Sequence, residues 1–399
     1  MQKRTVKIGI GNITIDQVAF KNVLAVLKSS RLSYGDFTRK FEAKMAKLHD
    51  RDFAIFCNSG TSAMHVALAV LKDKYGWQDG DEVIVPAVTF VATSNVILHN
   101  RLTPVFVDVE RDFFGIDTHK IEEKISKRTR AIMPVHLFGQ SSEMETIINL
   151  AKSYKLKIIE DSCESMFVKY KGKPVGSLGD IACYSTYATH LVTTGIGGFA
   201  MTNDADLAIR LKSYFNHGRD GIYLSIDDDD KVSRKKLFKI VERRFSFIYL
   251  GYSFRATEME AAIGLAQLLK WRGIISRRQE NSAYLSSHLE KYSDLISLPK
   301  IRSGAQHAFM LYPIVVKNII SRKKLIEHLE IAGIETRYLM PLINQPIYRK
   351  IFGDIEKDFP VAKYLNRNGF IIGCHQDLTR TDLDYIVGIF DKFFKTEKI

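Results

Sequence analysis

Cysteine is scarce in this chain. Four residues (Cys57, Cys163, Cys183 and Cys374) stand in 399, and none forms a CxxC pair. That count and scatter exclude a disulfide framework and a structural zinc site of the usual spacing, and they point to a reducing compartment. Long apolar runs are also missing. No stretch approaches the roughly 18 apolar residues of a membrane span. The opening Met-Gln-Lys-Arg-Thr-Val has no apolar core of signal-peptide length, so a cytoplasmic location without a membrane partner is expected. Neither a short-period repeat nor a low-complexity segment occurs. What is present is ordinary: 46% hydrophobic and 26% charged residues, which excludes disorder, collagen and coiled coil. At 399 residues a single core is near its limit, and two unequal domains are expected. The balance of 58 Lys+Arg against 45 Asp+Glu gives +13, compatible with nucleic acid, an acidic surface or an anionic small substrate. The basic residues are dispersed, with no helix-turn-helix and no Lys/Arg–aromatic stripe, so nucleic acid is not expected.

Short runs rich in Val and Ile recur at Glu82–Val88, Pro104–Val109, Arg130–Val135 and Lys157–Glu160, with helix-length stretches such as Thr61–Leu71 and Met144–Tyr154 between them. Strands alternating with helices predict βαβ units and a mostly parallel sheet, with ligands at the carboxyl ends of its strands. From Thr257 the pattern reads as one long amphipathic helix reaching Tyr292, followed by shorter elements. This change divides the chain into a large domain, 1–260, and a smaller C-terminal α+β domain, 261–399. Ser225–Arg244 is a charge-dense insertion, read as a solvated loop running into an exposed helix. Its Asp227–Asp230 run lacks the Gly and distal Glu of an EF-hand.

Three segments carry chemistry. Asn58-Ser59-Gly60-Thr61-Ser62-Ala63 is a small polar turn opening a helix. It suits a phosphate, and equally an ordinary N-cap. Ile158-Ile159-Glu160-Asp161 sets a carboxylate at a strand end, where it could face the protonated nitrogen of a pyridine ring or simply form a turn. Asp180–Ser185 reads as a strand, and a polar turn through Tyr187 and His190 leads to Gly195, Gly197 and Gly198 and a further strand, Phe199–Thr202. A lone loop His is ordinarily a surface or capping residue, yet it is also a competent base near neutral pH. His65 reads as core or interface, while His136, His217, His307 and His375 show no metal spacing. Gly9-Ile10-Gly11 is too short for a dinucleotide turn.

Together these segments resemble the DegT/DnrJ/EryC1/StrS family of sugar aminotransferases. The ordered matches include Leu32–Gly35, Thr89–Thr93, Lys171–Asp180, Leu250–Met259 and Asp382–Tyr385. The resemblance implies a fold type I pyridoxal-phosphate (PLP) transferase, aspartate aminotransferase-like, working as a homodimer with its site at the interface. By the same resemblance Gly60, Thr61, Ser62 and Ser185 bind the cofactor phosphate and Phe90 stacks on the ring. Asp161 pairs with the ring nitrogen, and Glu164 lies near the ring hydroxyl. Ser253 stands where the family takes an Asn from the second subunit to the phosphate. Arg219 and Arg337 fall in substrate-binding segments, where an exposed salt bridge is the plainer role. Ile196 replaces the family's Glu in Gly-Glu-Gly-Gly.

One departure dominates. His190 occupies the position of the family's cofactor-bonded lysine, and an imidazole cannot form that bond. PLP or its amine form, pyridoxamine phosphate (PMP), would then be held non-covalently. This replacement resembles the 3-dehydratases of nucleotide-linked 4-keto-6-deoxyhexoses, with glutamate as amino donor. Their iron–sulfur branch needs four cysteines. Cys163 matches its first ligand, but Gly221 and Tyr223 stand where the next two would follow Gly218-Arg219-Asp220. The cluster-free, colitose-pathway type therefore fits better. A sugar aminotransferase and a non-catalytic cofactor-binding homologue remain the alternatives.

Overall fold

The computed structural model describes residues 7–225, 227–317 and 319–396. The basic residues 1–6, on which the leader expectation rests, lie outside them, as does Ile226 of the charged insertion. Seven strands form the main sheet: β1 (Phe53–Cys57), β2 (Glu82–Pro86), β3 (Thr103–Val107), β4 (Thr129–Ile132), β5 (Lys157–Asp161), β6 (Ile181–Ser185) and β7 (Gly198–Thr202). Their order is β1-β7-β6-β5-β4-β2-β3. From β6 to β3 every pairing is parallel, and β7 alone runs against both neighbours. Helices cover the faces of such a sheet, so its strands read as continuous apolar runs, as Val83-Ile84-Val85 does.

Helices α1 (Gln17–Ser29), α2 (Asp36–Leu48), α3 (Gly60–Tyr75), α4 (Val91–His99), α5 (Met144–Tyr154) and α6 (Ala205–Phe215) follow the expected alternation. All but α1 pack directly on the main sheet. A second sheet, fully antiparallel, holds β8 (Ile296–Ser297), β9 (Tyr312–Val316), β10 (Thr336–Tyr338) and β11 (Gly369–Ile372) in the order β8-β9-β11-β10. It has its own apolar cluster, which includes Leu285, Leu325, Phe370 and Phe390 and also takes in Ile8 from near the chain start. No helix among the described residues is long and apolar enough to cross a membrane.

Two expectations change. The charged insertion does carry an exposed helix, α7 (Arg234–Arg243), with only Ile240 buried. Its loop, however, is tied down: Asp227 bonds Arg31 at 2.6 Å and Arg39 at 2.5 Å. The long helix predicted from Thr257 is broken at Leu269–Lys270 into α8 (Glu258–Leu268) and α9 (Trp271–Leu289). The two halves serve different neighbours. Helix α8, opened by a Thr257–Glu260 capping box, packs on α1 and α2. The far end of α9 buries Leu285 and Leu289 in the smaller cluster. Between them Trp271 stacks on Phe167 with ring centres 4.8 Å apart.

Five imidazoles, three buried and two half-buried, share a consequence. Burial pushes His49, His65, His190 and His375 down to about 4, and His307 to about 3. The unfolded chain protonates its His near 6.5, so between about pH 4 and 6.5 it binds more protons than the fold, and stability rises with pH. Glu42 and Glu164, pushed up to about 7 by burial, and Asp161 and Glu110, also raised by it, oppose this trend over part of the window, four carboxyls against five imidazoles. The melting temperature should therefore fall as the pH is lowered through that window. A flat profile in calorimetry would refute this account.

Candidate active site

The carboxyl ends of β1, β5 and β6 meet at one edge of the main sheet. After β1 the chain turns through Ser59 into α3, where the Ser59 hydroxyl oxygen accepts the Ser62 N–H at 3.0 Å. Ser59 also donates to the Ser62 hydroxyl at 3.0 Å, so Ser62 is engaged in the cap. The first amides of a helix have no partner within it and carry its positive end, which leaves Gly60 and Thr61 as the anion-facing groups. A Cβ on Gly60 would lie 2.8 Å from Cys163 Sγ and 2.9 Å from Ser185 Cβ. Only glycine lets the turn, Cys163 and the end of β6 approach so closely.

Strand β5 ends in two carboxylates that point to opposite faces. Glu160 is wholly buried and structural. It accepts N–H bonds from Gly176 (2.9 Å), Leu178 (2.8 Å) and Gly179 (2.6 Å), and Arg51 lies 3.6 Å away. His136 Nδ1 accepts the Ser142 N–H, so its other nitrogen donates to Glu160, at 3.1 Å. Burial raises the Glu160 carboxyl, but His136 and Arg51 outweigh it and hold the group low. Asp161 is different. Its Oδ2 accepts from the Thr93 hydroxyl at 2.8 Å and its Oδ1 from the Cys163 N–H at 3.2 Å. No Lys or Arg pairs with it among the described residues, and burial pushes its carboxyl up. A buried carboxylate without a cation is costly; a ring N–H⁺ would relieve it.

Thr93 stands one turn into α4, where Phe90 is the N-cap and is 57% exposed. Glu164 is buried and accepts the Phe138 N–H at 2.6 Å; burial pushes it up to about 7. His190 lies in the loop between β6 and β7, its Nδ1 2.8 Å from the carbonyl oxygen of Cys163. A carbonyl only accepts, so Nδ1 carries the hydrogen and Nε2 keeps the lone pair. Burial, with Arg278 adding to it, lowers His190 to about 4 and keeps it neutral.

The chain thus gathers Gly60, Thr61, Ser185, Asp161, Glu164 and His190 around Cys163, with Phe90 entering through α4. Three candidates make none of these contacts. Ser253 faces Asn216 across an isolated bridge and accepts from Arg255 at 3.0 Å. Arg219 is surrounded by the rings of Tyr223, Phe245 and Phe247. Arg337 is exposed and paired with Glu335. Two contributors were not singled out from the sequence, Thr93 and the Cys163 backbone. The Thr89–Thr93 spacing was the available signal, since residues four apart meet on a helix start, and their hydroxyls lie 2.9 Å apart.

This donor set fits PLP: an anion at Gly60, Thr61 and Ser185, and a protonated ring nitrogen at Asp161. Fold and donor set define a fold type I PLP-dependent transferase. The chain belongs to the DegT/DnrJ/EryC1/StrS aminotransferase family, whose pattern matches residues 14–391. It is 33% identical to GDP-perosamine synthase of Caulobacter vibrioides over 90% of this chain and 91% of that one. It is 28% identical to GDP-4-keto-6-deoxy-D-mannose 3-dehydratase of Escherichia coli O55:H7 over 94% and 97%. The solved E. coli GDP-4-keto-6-deoxy-D-mannose-3-dehydratase with bound hydrated PLP superposes with a TM-score of 0.87 at 26% identity, covering 96% of this chain and 99% of that one. The chain is accordingly a PLP-dependent nucleotide-sugar enzyme.

Thr93→Val removes the one side-chain hydroxyl held by Asp161. A hydrogen bond to a charged group contributes about 1.5–3 kcal/mol, so PLP affinity should drop by about tenfold or more in an absorbance titration. Unchanged affinity would show that Thr93 does not support the cofactor site.

Proposed function

We propose that this chain is a PMP/PLP-dependent 3-dehydratase that converts a nucleotide-linked 4-keto-6-deoxyhexose to a 3-deoxy-4-keto sugar, with His190 as base. The observation that supports it most is the neutral imidazole of His190, half-buried beside Cys163, at the position the resemblance assigns to the family's lysine. In this reading Gly60, Thr61 and Ser185 hold the cofactor phosphate, Ser62 supports them through the cap, and Ser253 is contributed by a second copy. Exposed Phe245, Phe247 and Leu250 near Ser253 give that copy an apolar surface to cover. Phe90 covers the ring, Glu164 lies by its hydroxyl, and Arg219 and Arg337 receive the nucleotide sugar. Cys163, with Gly221 and Tyr223 at the next positions, favours the branch without an iron–sulfur cluster.

Bound as the amine, PMP supplies an amino group for the sugar's C4 ketone and a ring that accepts electrons. Asp161 holds a proton on the ring nitrogen and so keeps the ring electron-poor. His190 Nε2 takes a proton from the carbon beside the amine. Near neutral pH an imidazole lowered to about 4 is always in the base form. Once protonated it is a stronger acid than an ordinary His and can assist the departing C3 hydroxyl, which leaves as water. Hydrolysis would then free the 3-deoxy-4-keto sugar and release the amine nitrogen as ammonia, leaving the cofactor as PLP, and glutamate would restore the amine form. The relative at 33% identity favours a second reading, a sugar aminotransferase; an amino sugar rather than a deoxy sugar as product would establish it.

Replacing the base should be decisive. His190→Asn should lower dehydration by about 10²–10⁴-fold while PLP still binds. In His190→Lys, borohydride should fix the cofactor to position 190, and it should fix none in the native protein. Dehydration at full rate in either variant would overturn the reading.

A further inference from the structure

The segment Gly9-Ile10-Gly11 has no part in the chemistry above, yet it forms a strap between the second sheet and the His190 loop. Ile8 lies parallel to Ile334, and the Glu335 N–H donates to the Ile8 carbonyl at 2.9 Å. The Ile10 N–H then donates to Glu335 Oε2 at 3.0 Å. Gly373, just past β11, closes over this turn: a Cβ there would stand 2.1 Å from the Gly9 carbonyl oxygen. Two residues on, a Cβ on Gly11 would lie 3.1 Å from Thr189 Cβ and 3.2 Å from its Cα and carbonyl oxygen. Thr189 immediately precedes His190. The strap is therefore anchored at one end to the C-terminal sheet and pressed at the other against the backbone that carries the imidazole.

We infer that Glu335 and Gly11 are positioning residues for His190. Glu335 clamps the strap through Ile10, and the bare Gly11 lets the strap seat on Thr189 without displacing it. Two of the three Thr189 atoms involved are backbone, so an added methyl shifts the loop instead of turning a side chain aside. His190 itself is held by Nδ1 on the Cys163 carbonyl and by its N–H on the Tyr187 carbonyl at 2.9 Å, while bonds between Thr186 and Thr194 tie the ends of the loop together and the strap bears on its middle. Glu335 also accepts from Arg337 through its other oxygen, so one carboxylate holds the strap and a candidate substrate cation together. The inference rests on the reading of His190 as base.

The test uses the full-length protein with Glu335→Ala, Glu335→Gln and Gly11→Ala. Amide hydrogen exchange over residues 187–195 is measured without cofactor, and kcat and KM are measured with it. A small misplacement of a reacting group is costly, so Glu335→Ala and Gly11→Ala should lower kcat by about tenfold, change KM less, and speed exchange of the loop. Glu335→Gln keeps an oxygen for the Ile10 N–H and should restore both readouts. Unchanged exchange in Glu335→Ala and Gly11→Ala overturns the inference. So does Glu335→Gln behaving like Glu335→Ala, which would assign the effect to the Arg337 ion pair. If the native protein dehydrates no 4-keto-6-deoxy sugar nucleotide, the reading of function fails, while faster exchange still supports the strap.

Discussion

The two consecutive carboxylates that end β5 set the frame for everything around them. A strand turns successive side chains to opposite faces, so Glu160 and Asp161 cannot share partners. Glu160 spends its oxygens on three backbone amides, on His136 and on the nearby Arg51. That satisfied network pins the turn after a short hairpin, in which Lys169 pairs with Pro174 and Tyr170 with Lys173, and the loop after β4 to the same strand end. Asp161, rigidly placed as a result, is left with a hydroxyl and one amide. The contrast is physical: one buried charge is compensated within the chain, and its neighbour is compensated only when something cationic arrives. Structural order and an incomplete site are thus built from adjacent residues.

The same division of labour governs the loop between β6 and β7. The antiparallel return of β7 brings Gly198 against the turn at Ser59 and Gly60, so that turn and the loop holding His190 are parts of one packed unit. A carbonyl acceptor fixes the His190 tautomer, and burial removes its charge. Nothing acidic is paired with it among the described residues. An imidazole held in this way is a proton acceptor at Nε2 in every neutral buffer, with no need for a carboxylate to orient it.

What the sequence made legible was local. The parallel strands show as apolar runs, the phosphate turn as Ser-Gly-Thr opening a helix, and the strand-end acid as Glu-Asp after two isoleucines. Each signal lies within a few residues, where backbone geometry fixes who meets whom. Contacts between distant segments were not legible. Asp227 reaches Arg31 across 196 positions, and Ile10 reaches Glu335 across 325. Nothing in the periodicity of Thr257–Tyr292 marks the break at Leu269–Lys270 either, because the apolar spacing continues through it. The break arises from packing, since the two halves serve different neighbours. Thr93 lies between these cases: its spacing from Thr89 was visible, but its bond to Asp161 required the sheet.

Similarity along the whole chain does not choose between the two chemistries. The aminotransferase relative is 33% identical and the dehydratase relative 28%, over comparable spans. Most of that identity is fold and cofactor cradle, which both reactions use, and a shared scaffold does not specify the reaction run on it. In the reading proposed above, the outcome turns on what stands at one loop position. A lysine there can bond covalently to the cofactor, whereas a histidine can only exchange protons. On that reading a neutral, half-buried His190 serves proton transfer, and losing a hydroxyl next to a ketone requires proton transfers and an electron-accepting ring. On the proposed reading the weight falls on His190 and on the contacts that hold it, among them the seat of Gly11 against Thr189.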